Sequence, residues 1–596
     1  MIVYLATKAA FVDDVVADRI QERIENAFQT TLKRNVSPAE ATSWRNSMMY
    51  MRNVLDDGGI PDDTGVAVEF NIPQTSKRID VILTGRDSEM NRSAVIVELK
   101  QWQKVMATDK DAIVRTFLGG GEREVGHPSY QAWSYAALLE DFNEAVRTEP
   151  VRLKPCAFLH NCDPGSPVVD AFYAEHLERA PVFLRTDALK LREFIRQHVR
   201  HGDGGETMYR IQAGRIRPSK SLADALTSLL KGNREFVMID DQKVVFETAL
   251  QLAKKATAGT KQVLIVDGGP GTGKSVVAIN LLVALTGQGR VAKYVTKNAA
   301  PRTVYESKLT GTFSRSRISN LFGSSGSYIE TLPDTFDALI VDEAHRLNAK
   351  TGMFQKGENQ IKELMRASRC SVFFIDEDQR VTFSDIGSKE EIRSWALASG
   401  AEVTELALES QFRCNGSDGY LAWVDDVLQI RKTANPTLEG VNYEVRVSDT
   451  PGELRERIIQ LNNVNNKARL VAGYCWNWSG KKFPDKVDIV MPEHGFSARW
   501  NLASDGNLWI LKPESVQEIG CVHTCQGLEL DYVGVLIGPD LVVRNGVVVC
   551  QPEKRARTDA SLKGYKALLK QAPVAAREKA VQRQLKIPSA TIKTDP

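Results

Sequence analysis

The stretch from Val263 to Ser275, VLIVDGGPGTGKS, decides the fold of this chain. Its first four residues are apolar and predict a short buried strand of a parallel sheet, with a glycine-rich turn directly after it. The pattern G-x-x-x-x-G-K-S then runs from Gly268 to Ser275. Gly268, Gly271 and Gly273 allow backbone conformations in which successive N–H groups converge on phosphate oxygens. The apolar run that follows, SVVAINLLVAL, predicts a helix whose N-terminus faces the same anion.

The residues at the end of this motif predict a nucleotide site. Lys274 is expected to contact the β- and γ-phosphates, and Ser275 to hold Mg²⁺. A second strand-like run, DALIVDEAH at 337–345, ends in two carboxylates. Asp342 is expected to join the Mg²⁺ shell and Glu343 to orient the attacking water. The sequence therefore predicts ATP and Mg²⁺ as cofactors of a hydrolase.

Composition places the chain among ordinary globular proteins. It has 596 residues, of which 42% are hydrophobic and 26% charged, and this length predicts two to four domains. The net charge of +2 does not decide between partners, because a local groove can be basic in a balanced protein. No apolar run reaches the length of a membrane span, and the opening segment has acidic residues where a signal peptide would be apolar. We therefore expect a cytoplasmic protein with no membrane partner.

Three strand-like runs in the amino-terminal third predict a meander, with sequences VAVEFNI at 66–72, RIDVILTG at 78–85 and SAVIVELKQW at 93–102. Strand alternation puts Glu98 and Lys100 on one face, and a neighbouring strand can bring Asp80 alongside. Asp80 and Glu98 are hard oxygen ligands for Mg²⁺, and Lys100 can steady the attacking water in phosphodiester cleavage. Alternatively, these charged residues form a solvated face of the strands. Their positions within apolar runs argue against this interpretation.

The same residues carry a family resemblance. The D…E-x-K arrangement resembles the PD-(D/E)xK nuclease superfamily, and QAWSY at 131–135 resembles the Q-x-x-x-Y motif of its RecB-like branch. The resemblance implies that Gln131 and Tyr135 face the DNA or the metal from a helix beside the core sheet. An ordinary amphipathic helix explains this pair equally well. Glu69 is read either as a further carboxylate ligand or as a strand-edge charge.

Four further stretches resemble motifs of superfamily-one helicases. In FVMIDDQ at 236–242, which is expected to precede a helix over Lys243–Ala256, Gln242 resembles the residue that reads adenine, although a helix-capping segment explains it nearly as well. In CSVFFIDEDQR at 370–380, Gln379 resembles the γ-phosphate sensor of the third motif. Arg413, in LESQFR, resembles the cation of the fourth motif that stabilises the transition state. VHTCQGLELD at 522–531 resembles the fifth motif, with Gln526, Gly527 and Glu529 at the family positions.

From about residue 236 onward the chain resembles the helicase-like domain of the Schlafen and bacterial Schlafen-like ATPases. The segments that carry this resemblance are TKNAAPR at 296–302 and ESQFRCNGSDGYLAWVDDVL at 409–428. It implies two RecA-like domains with ATP between them and nucleic acid across the top. One departure is the missing sixth motif, a strand followed by Thr-Arg-Gly. We expect either a truncation or altered frame near residue 580, or a partner that supplies the cation.

Together these patterns predict an α/β fold, in which a restriction-endonuclease-like α/β core precedes two RecA-like P-loop domains. The expected boundaries are 1–205 for the nuclease-like domain, 206–235 for a linker, 236–400 for the first motor domain and 401–596 for the second. The expected function is ATP-dependent cleavage of DNA in antiphage defence. An RNA-directed enzyme and a nucleotide-gated sensor remain alternatives, as does association with a second copy or a partner defence protein.

Overall fold

The computed structural model describes residues 2–31, 38–72, 75, 77–149, 151–214, 222–233, 235–350, 356–380, 382, 384–410, 418–433, 436–438, 443–479, 483, 486–501, 506–525, 528–557, 559, 561, 562 and 566. The chain forms two compact units. The first unit comprises Met1–Ser219, Phe236–Thr248 and Ser410–Ser417, and the second comprises Lys220–Glu235, Ala249–Glu409 and Asp418–Pro596. The four-part division expected from the sequence stays a prediction.

The first unit contains nine strands and eight helices among its described residues, apart from a helix that it shares with the second unit. Its strands are β1 Ile2–Thr7, β2 Gly65–Asn71, β3 Arg78–Arg86, β4 Arg92–Lys100, β5 Val105–Ala107, β6 Ile113–Leu118, β7 Gly121–Gly126, β8 Arg152–Leu159 and β9 Val182–Leu184. Its helices are α1 Lys8–Val16, α2 Ile20–Thr31, α3 Pro38–Leu55, α4 Pro128–Phe142, α5 Glu144–Thr148, α6 Ala174–Arg179, α7 Ala188–His198 and α8 Glu206–Ala213.

The main sheet of the first unit has the strand order β1-β2-β3-β4-β8-β9. Its first four strands pair antiparallel, which confirms the predicted meander, and β8 and β9 add parallel strands beside β4. A separate antiparallel sheet, β5-β6-β7, lies between β4 and α4 in the sequence. Gly119 and Gly120 join β6 to β7 with φ of 58° and 86°, a left-handed turn that glycine adopts without strain.

Two hydrophobic cores cover opposite faces of the main sheet. One core is shared with α1, α2, α3 and α7, and the other with α4 and α8. Alternation along β2 reverses at Glu69, because Val68 belongs to the first core and Phe70 to the second. Glu69 has φ of 56°, a left-handed conformation that costs free energy for a residue with a side chain. Because of this reversal, Phe70 points to the sheet face opposite the one that regular alternation would give it.

Helices and strands alternate in the first half of the second unit, as expected around a phosphate-binding loop. The helices of the unit are α9 Leu222–Leu230, α10 Asp240–Lys255, α11 Lys274–Gly287, α12 Ala299–Leu309, α13 Arg315–Leu321, α14 Gln360–Ala367, α15 Lys389–Ala398, α16 Asp418–Val427, α17 Pro451–Asn465 and α18 Val522–Cys525. Residues of α10 up to Thr248 belong to the first unit.

The strands of the second unit form a six-stranded parallel sheet, a three-stranded parallel sheet and two hairpins. They are β10 Gln262–Gly268, β11 Ala292–Thr296, β12 Phe322–Ser324, β13 Phe336–Asp342, β14 Ser368–Ile375, β15 Glu402–Leu408, β16 Ala468–Ala472, β17 Ile489–Met491, β18 Phe496–Ala498, β19 Ile519–Gly520, β20 Tyr532–Leu536, β21 Leu541–Arg544 and β22 Val547–Cys550.

The larger sheet has the strand order β12-β11-β13-β14-β10-β15, and every pairing in it is parallel. Strand β10 lies inside the sheet, and Val263 to Val266 are buried, as the continuous apolar run predicted. Parallel strands bring their carboxyl ends to one edge, so the residues that follow β10, β13 and β14 meet there. The smaller sheet has the order β19-β16-β20 and is also parallel.

The observed elements extend or shift several predictions. Helix α10 begins at Asp240, so Gln242 lies inside it and does not precede it. The stretch 206–235, which looked like a Gly-rich connection, contains α8 and α9. Leucine, isoleucine and methionine side chains at helical spacing form the buried faces of these two helices. None of the described helices combines the length and hydrophobicity that crossing a bilayer requires.

The smaller sheet of the second unit is built around a buried cation. Arg469, on β16, is fully buried and donates to the carbonyl oxygens of Ile510 and Lys512 at 2.9 and 3.0 Å, and to the side chain of Asn462 at 2.6 Å. Burial lowers the pKa of its guanidinium to about 10. The side chain therefore ties β16 to the loop before β19.

We predict that Arg469→Met lowers the free energy of unfolding by about 3 kcal/mol, because it leaves several buried acceptors without a donor. Urea unfolding followed by tryptophan fluorescence measures the change. The matched control is Arg457→Ala on the exposed face of α17, which should stay within about 0.5 kcal/mol of the wild type. An equal effect of both substitutions would contradict the structural role of Arg469.

Candidate functional site

The phosphate-binding loop connects β10 to α11. Gly271 and Gly273 have φ of 76° and 82°, left-handed values that explain why the motif has glycine there. Gly273 is also the N-cap residue of α11, so the free N–H groups of the first helical turn point into the loop. A Cβ at Gly268 would lie 2.7 Å from the hydroxyl of Thr272, so this position too requires glycine. The loop has the geometry of an anion cradle.

The lysine and serine of the motif lie where the sequence predicts. Lys274 Nζ is buried and donates to the carbonyl oxygens of Gly268 and Gly269 at 2.6 and 2.8 Å. Ser275 Oγ donates to Asp342 Oδ2 at 2.7 Å, and the Tyr294 hydroxyl donates to the same oxygen at the same distance. The structure therefore brings together the two residues predicted to hold Mg²⁺.

The pKa values of the two carboxylates at the end of β13 are shifted in opposite directions. Burial, together with the charge of Glu343, raises the pKa of Asp342. Burial would also raise the pKa of Glu343, but the His345 ring 2.9 Å away outweighs it, so that this pKa falls to about 2. Glu343 has φ of 54°, a strained value of the kind that accumulates at functional sites. The cations around it, with His345 nearest and Lys274 and Arg346 beyond, thus favour the ionised form of Glu343.

The same imidazole reaches the third motif. His345 Nδ1 accepts a hydrogen bond from the backbone N–H of Asp376 at 3.3 Å. Asp376 Oδ2 in turn accepts from Gln379 Nε2 at 2.7 Å and lies 3.9 Å from Lys274 Nζ. A continuous polar network therefore links Glu343 to Gln379, the predicted γ-phosphate sensor.

The remaining predicted nucleotide residues are not assembled by the described structure. Arg413, Gln526 and Gly527 lie outside the described residues, and Glu529 follows α18 in the second unit. Gln242 belongs to the first unit, where its Oε1 accepts from the backbone N–H of Ile239 at 3.4 Å. The roles of these five residues stay predictions.

In the first unit, strand register aligns three acidic residues. Val68 pairs with Val81 and Phe70 with Ile79, which places Glu69 opposite Asp80. The pairing of Val81 with Val97 in the next ladder places Asp80 opposite Glu98. The three acidic residues that lie opposite one another on adjacent strands are therefore Glu69, Asp80 and Glu98. The structure thus brings together the acidic residues that the sequence could place only on neighbouring strands.

Hydrogen bonds hold this row in place. Asp80 Oδ2 accepts from the backbone N–H of Leu99 at 2.7 Å, and Glu98 Oε1 accepts from Lys100 Nζ at 2.7 Å. Glu69 accepts from Trp44 Nε1 at 2.8 Å and pairs with Arg78, so it is anchored in the protein. Asp80 and Glu98 are left as the pair that faces Lys100.

Burial and mutual repulsion dominate the electrostatics of this pair. Desolvation raises the pKa of Asp80, and desolvation with the charge of Asp80 raises the pKa of Glu98 to about 8. Burial opposes the charge on Lys100, but Glu98 and Asp80 outweigh it, so the pKa of this ammonium lies above its ordinary value. If both carboxyl groups ionise, the pair carries one more negative charge than Lys100 can neutralise, and a bound cation would stabilise that ionised state.

One buried oxygen tests whether the pair suits a metal. Glu98 Oε2 has no hydrogen-bond partner and is shielded from solvent, an arrangement that costs free energy unless a ligand satisfies it. Within the described part of the chain, no three His, Cys, Asp or Glu side chains form a metal cluster. The donor set that fits Mg²⁺ here is therefore the pair Asp80 and Glu98, completed by substrate or water oxygens.

The helix α4 supplies the predicted Gln and Tyr. Gln131 Nε2 donates to the Tyr135 hydroxyl at 2.8 Å, and this hydroxyl donates to Asp240 Oδ2 at 2.8 Å. Lys77 Nζ lies 3.1 Å from the same carboxylate oxygen. Asp240 adds its negative charge to those that raise the pKa of Glu98. The Q-x-x-x-Y pair therefore belongs to the electrostatic surroundings of the carboxylate row.

Asp240 and Tyr294 are polar residues of these sites that sequence reasoning missed. Asp240 lies in the segment that we assigned to the motor, although the structure groups this segment with the first unit. No periodicity connects it to Tyr135, which is 105 positions earlier. Tyr294 pairs with Ile340 of β13, and nothing in the sequence indicates that its hydroxyl reaches Asp342.

Comparison with known proteins identifies the second unit. The model of the Schlafen group 3 DNA/RNA helicase domain matches residues 261–587, which is more than half of the chain. The chain belongs to the Schlafen group 3 family. The match begins one residue before β10 and includes the phosphate loop, the DEAH segment and the predicted third to fifth motifs.

Two individual relatives are more distant. An uncharacterized protein of Saccharomyces cerevisiae is 25% identical over 239 residues, covering 34% of this Schlafen-family chain and 49% of the yeast protein. The chain thus spans about half the length of this curated relative. The SWI2/SNF2 ATPase core of Sulfolobus solfataricus, solved in complex with dsDNA, aligns with 50% of this chain and 87% of its own at 13% identity. Its TM-score of 0.20 supports no structural inference.

We predict that Glu98→Gln stabilises the metal-free protein more at pH 8 than at pH 5. The folded state keeps the Glu98 proton up to about pH 8, whereas the unfolded chain releases it near its ordinary pKa of 4.5. The unfolded state then binds fewer protons, so the free energy of unfolding falls as pH rises through this window. Glutamine cannot ionise and escapes that loss.

Thermal unfolding of both proteins in EDTA at the two pH values measures the difference. Glu89→Gln, at an exposed carboxylate of the same unit, is the control and should show no such pH dependence. A Glu98→Gln effect of the same size at pH 5 and pH 8 would show that the carboxyl is not held neutral.

Proposed function

We propose that this chain is an ATP-dependent nuclease that acts on DNA, with Mg²⁺ at both of its reaction centres. The network from Ser275 through Asp342, Glu343 and His345 to Gln379 carries the proposal for the second unit, because it joins a Mg²⁺ ligand pair to an oriented base. For the first unit the supporting observation is the unsatisfied Glu98 Oε2 between Asp80 and Lys100.

In this arrangement, ATP hydrolysis requires only small changes in side-chain contacts. Bound Mg²⁺ would neutralise the β- and γ-phosphate oxygens. Lys274 exchanges its two carbonyl acceptors for phosphate oxygens, and the loop N–H groups complete the cradle. Glu343 accepts a hydrogen bond from the attacking water, and His345 holds its carboxylate in place. Gln379 would sense the γ-phosphate through Asp376, and Arg413, which lies outside the described residues, would supply the transition-state cation.

The proposed nuclease is of the PD-(D/E)xK type. A bound Mg²⁺ would polarise the scissile phosphodiester and activate water. Asp80 and Glu98 hold that ion, and Lys100 donates to the attacking water or to the developing negative charge. Gln131 and Tyr135 act on this centre through Asp240, which accepts from the Tyr135 hydroxyl and whose charge raises the pKa of Glu98. Glu69, whose backbone is strained, is held beside Asp80 by Trp44 and Arg78.

RNA is the second candidate substrate. The family description covers both DNA and RNA helicase domains, so the motor gives no preference between them. A competition experiment with labelled DNA and unlabelled RNA of the same sequence separates the two. A role in antiphage defence is proposed by analogy with other fusions of a nuclease and a motor.

We predict that Lys274→Ala reduces ATP turnover by about 10²-fold or more, because it removes a cation aimed at the charge of the transition state. ATPase rates and the binding of a fluorescent ATP analogue measure the loss. Lys362→Ala, on the exposed side of α14, is the matched control and should leave both unchanged. Unchanged nucleotide affinity in Lys274→Ala would mean that the loop does not bind the nucleotide.

We predict that Asp80→Ala and Lys100→Ala each abolish Mg²⁺-dependent cleavage while ATP turnover is retained. The first variant removes a metal ligand, and the second removes the charge beside the attacking water. Cleavage of plasmid and linear DNA with Mg²⁺ and ATP measures the effect. Asp163→Ala and Lys190→Ala, at exposed positions of the same unit, serve as controls. Persistent cleavage in both active-site variants would refute this site.

A further inference from the structure

The larger sheet of the second unit has a cavity at the edge opposite the phosphate loop. All its strand pairings are parallel, so the amino ends of β11 and β13 lie at the other edge from the residues that follow β10. Val291 and Phe336, at these amino ends, line a cavity of about 910 Å³. Val283 and Thr286, near the end of α11, line it too. Since 14 helical residues span about 20 Å, α11 separates the cavity from the loop by that distance.

Four cationic side chains line this cavity, and they come from separate parts of the second unit. They are Lys231 after α9, Arg290 before β11, Lys293 on β11 and Arg317 on α13. Within the described part of the chain, the lining contains no aspartate or glutamate. None of the four cations forms an ion pair with a carboxylate of a described residue. The cavity therefore has positive charge that the protein does not balance.

The carboxylate beside the cavity already has two partners. Asp337 follows the lining residue Phe336, accepts from the backbone N–H of Val291 at 2.9 Å and pairs with Arg369 at 3.0 Å. Lys293 Nζ lies 5.7 Å from the ring centroid of Phe336, a cation–π contact that replaces part of its lost hydration. Burial nevertheless lowers the pKa of Lys293, because its ammonium loses solvent without gaining a counter-ion. An anion in the cavity would supply that counter-ion.

An aromatic ring holds Arg317 in place. The guanidinium carbon of Arg317 lies 4.4 Å from the ring centroid of Phe313, which is a stacking distance. The side chain is exposed, and among the described residues none accepts a hydrogen bond from its guanidinium. A guanidinium that stacks on a ring keeps its in-plane N–H donors available, and these match the oxygens of a phosphate. Arg317 is thus positioned to bind an anion.

The ends of two helices give an alternative reason for these cations. Helices α9 and α11 both end at the cavity, and the C-terminus of a helix attracts positive charge. Each end contributes about half a negative charge, so together they offset about one of the four cations. The charge of about three cations remains, which is on the scale of a di- or triphosphate. An extended nucleic-acid backbone needs cations along a groove, whereas a recess surrounded by cations suits a compact anion.

We propose that this cavity is a second anion site of the chain and binds a compact oligophosphate through its four cationic side chains. The ligand chemistry is two or three linked phosphates, either as a free inorganic anion or as the phosphate chain of a nucleotide. The apolar side chains of the lining leave room for a base beside the phosphates, and they include Leu230, Val283 and Leu321. This site shares no residue with either proposed reaction centre.

Isothermal titration calorimetry of inorganic triphosphate into the full chain, in EDTA and at physiological ionic strength, counts the sites. The wild type should bind at the phosphate loop and at the cavity. The double variant Arg290→Gln with Arg317→Gln should lose the cavity site or weaken it by at least about tenfold, because it removes two charged donors. Lys274→Ala should lose the loop site, and the triple variant should lose both. An unchanged melting temperature without triphosphate shows that the double variant is folded.

The matched control is Arg315→Gln, which removes an exposed cation from the same helix as Arg317 but outside the cavity lining. It should bind as the wild type does. Identical affinity and stoichiometry in the wild type and the Arg290→Gln/Arg317→Gln variant would overturn the proposal. If only Lys274→Ala leaves the stoichiometry unchanged, the assignment of the phosphate loop fails and the cavity site stands.

ATP in place of inorganic triphosphate separates the two sources of the ligand. In the Lys274→Ala variant, binding of ATP that is at least about tenfold tighter than that of triphosphate would assign a nucleotide. Equal binding would assign a free oligophosphate, and either result supports the site if it depends on Arg290 and Arg317. A short oligonucleotide that binds through these two arginines, when triphosphate does not, would overturn the proposal in favour of a nucleic-acid contact.

Discussion

Repulsion between buried carboxylates is the constraint on which the amino-terminal unit depends. Antiparallel register places Glu69, Asp80 and Glu98 on adjacent strands, where Glu69 and Glu98 are buried and Asp80 is partly exposed. Arg78 and Trp44 neutralise and anchor the first of these, and Lys100 neutralises the last. Burial raises the pKa of both Asp80 and Glu98, the charge of Asp80 raises that of Glu98 further, and one buried oxygen of Glu98 is left without a donor. A divalent cation relieves both costs at once.

The second unit, by contrast, has a site that is suited to bind a polyanion. Left-handed glycines and the first turn of α11 direct backbone N–H groups into the loop, and Lys274 adds a full charge. The carboxylates at the same sheet edge are divided between two tasks. Asp342 accepts from Ser275 and Tyr294, whereas Glu343 is kept ionised by His345. In the proposed function, the two units would therefore bind the same ion for different reasons, to offset buried carboxylates in one and phosphates in the other.

Much of this arrangement could be predicted from sequence because it depends on local patterns. The strands that carry Asp80 and Glu98 were predicted to within about two residues, since alternating and continuous apolar runs mark them. The phosphate loop was predicted because glycine spacing, strand and helix agree. The left-handed backbone of Glu69 was beyond prediction, because a strand sequence gives no sign of where alternation reverses. Asp240 was missed because its contact with Tyr135 is tertiary.

Both proposed reaction centres depend on where the protein binds divalent cations. Mn²⁺ scatters anomalously and accepts the oxygen ligands that Mg²⁺ uses, so a crystal of the full chain grown with Mn²⁺ and a non-hydrolysable ATP analogue reports both centres. The account predicts one ion bound by Asp80 and Glu98, and one beside Ser275 and Asp342. An ion at the nucleotide alone, with the Asp80 and Glu98 side chains turned apart, would contradict it.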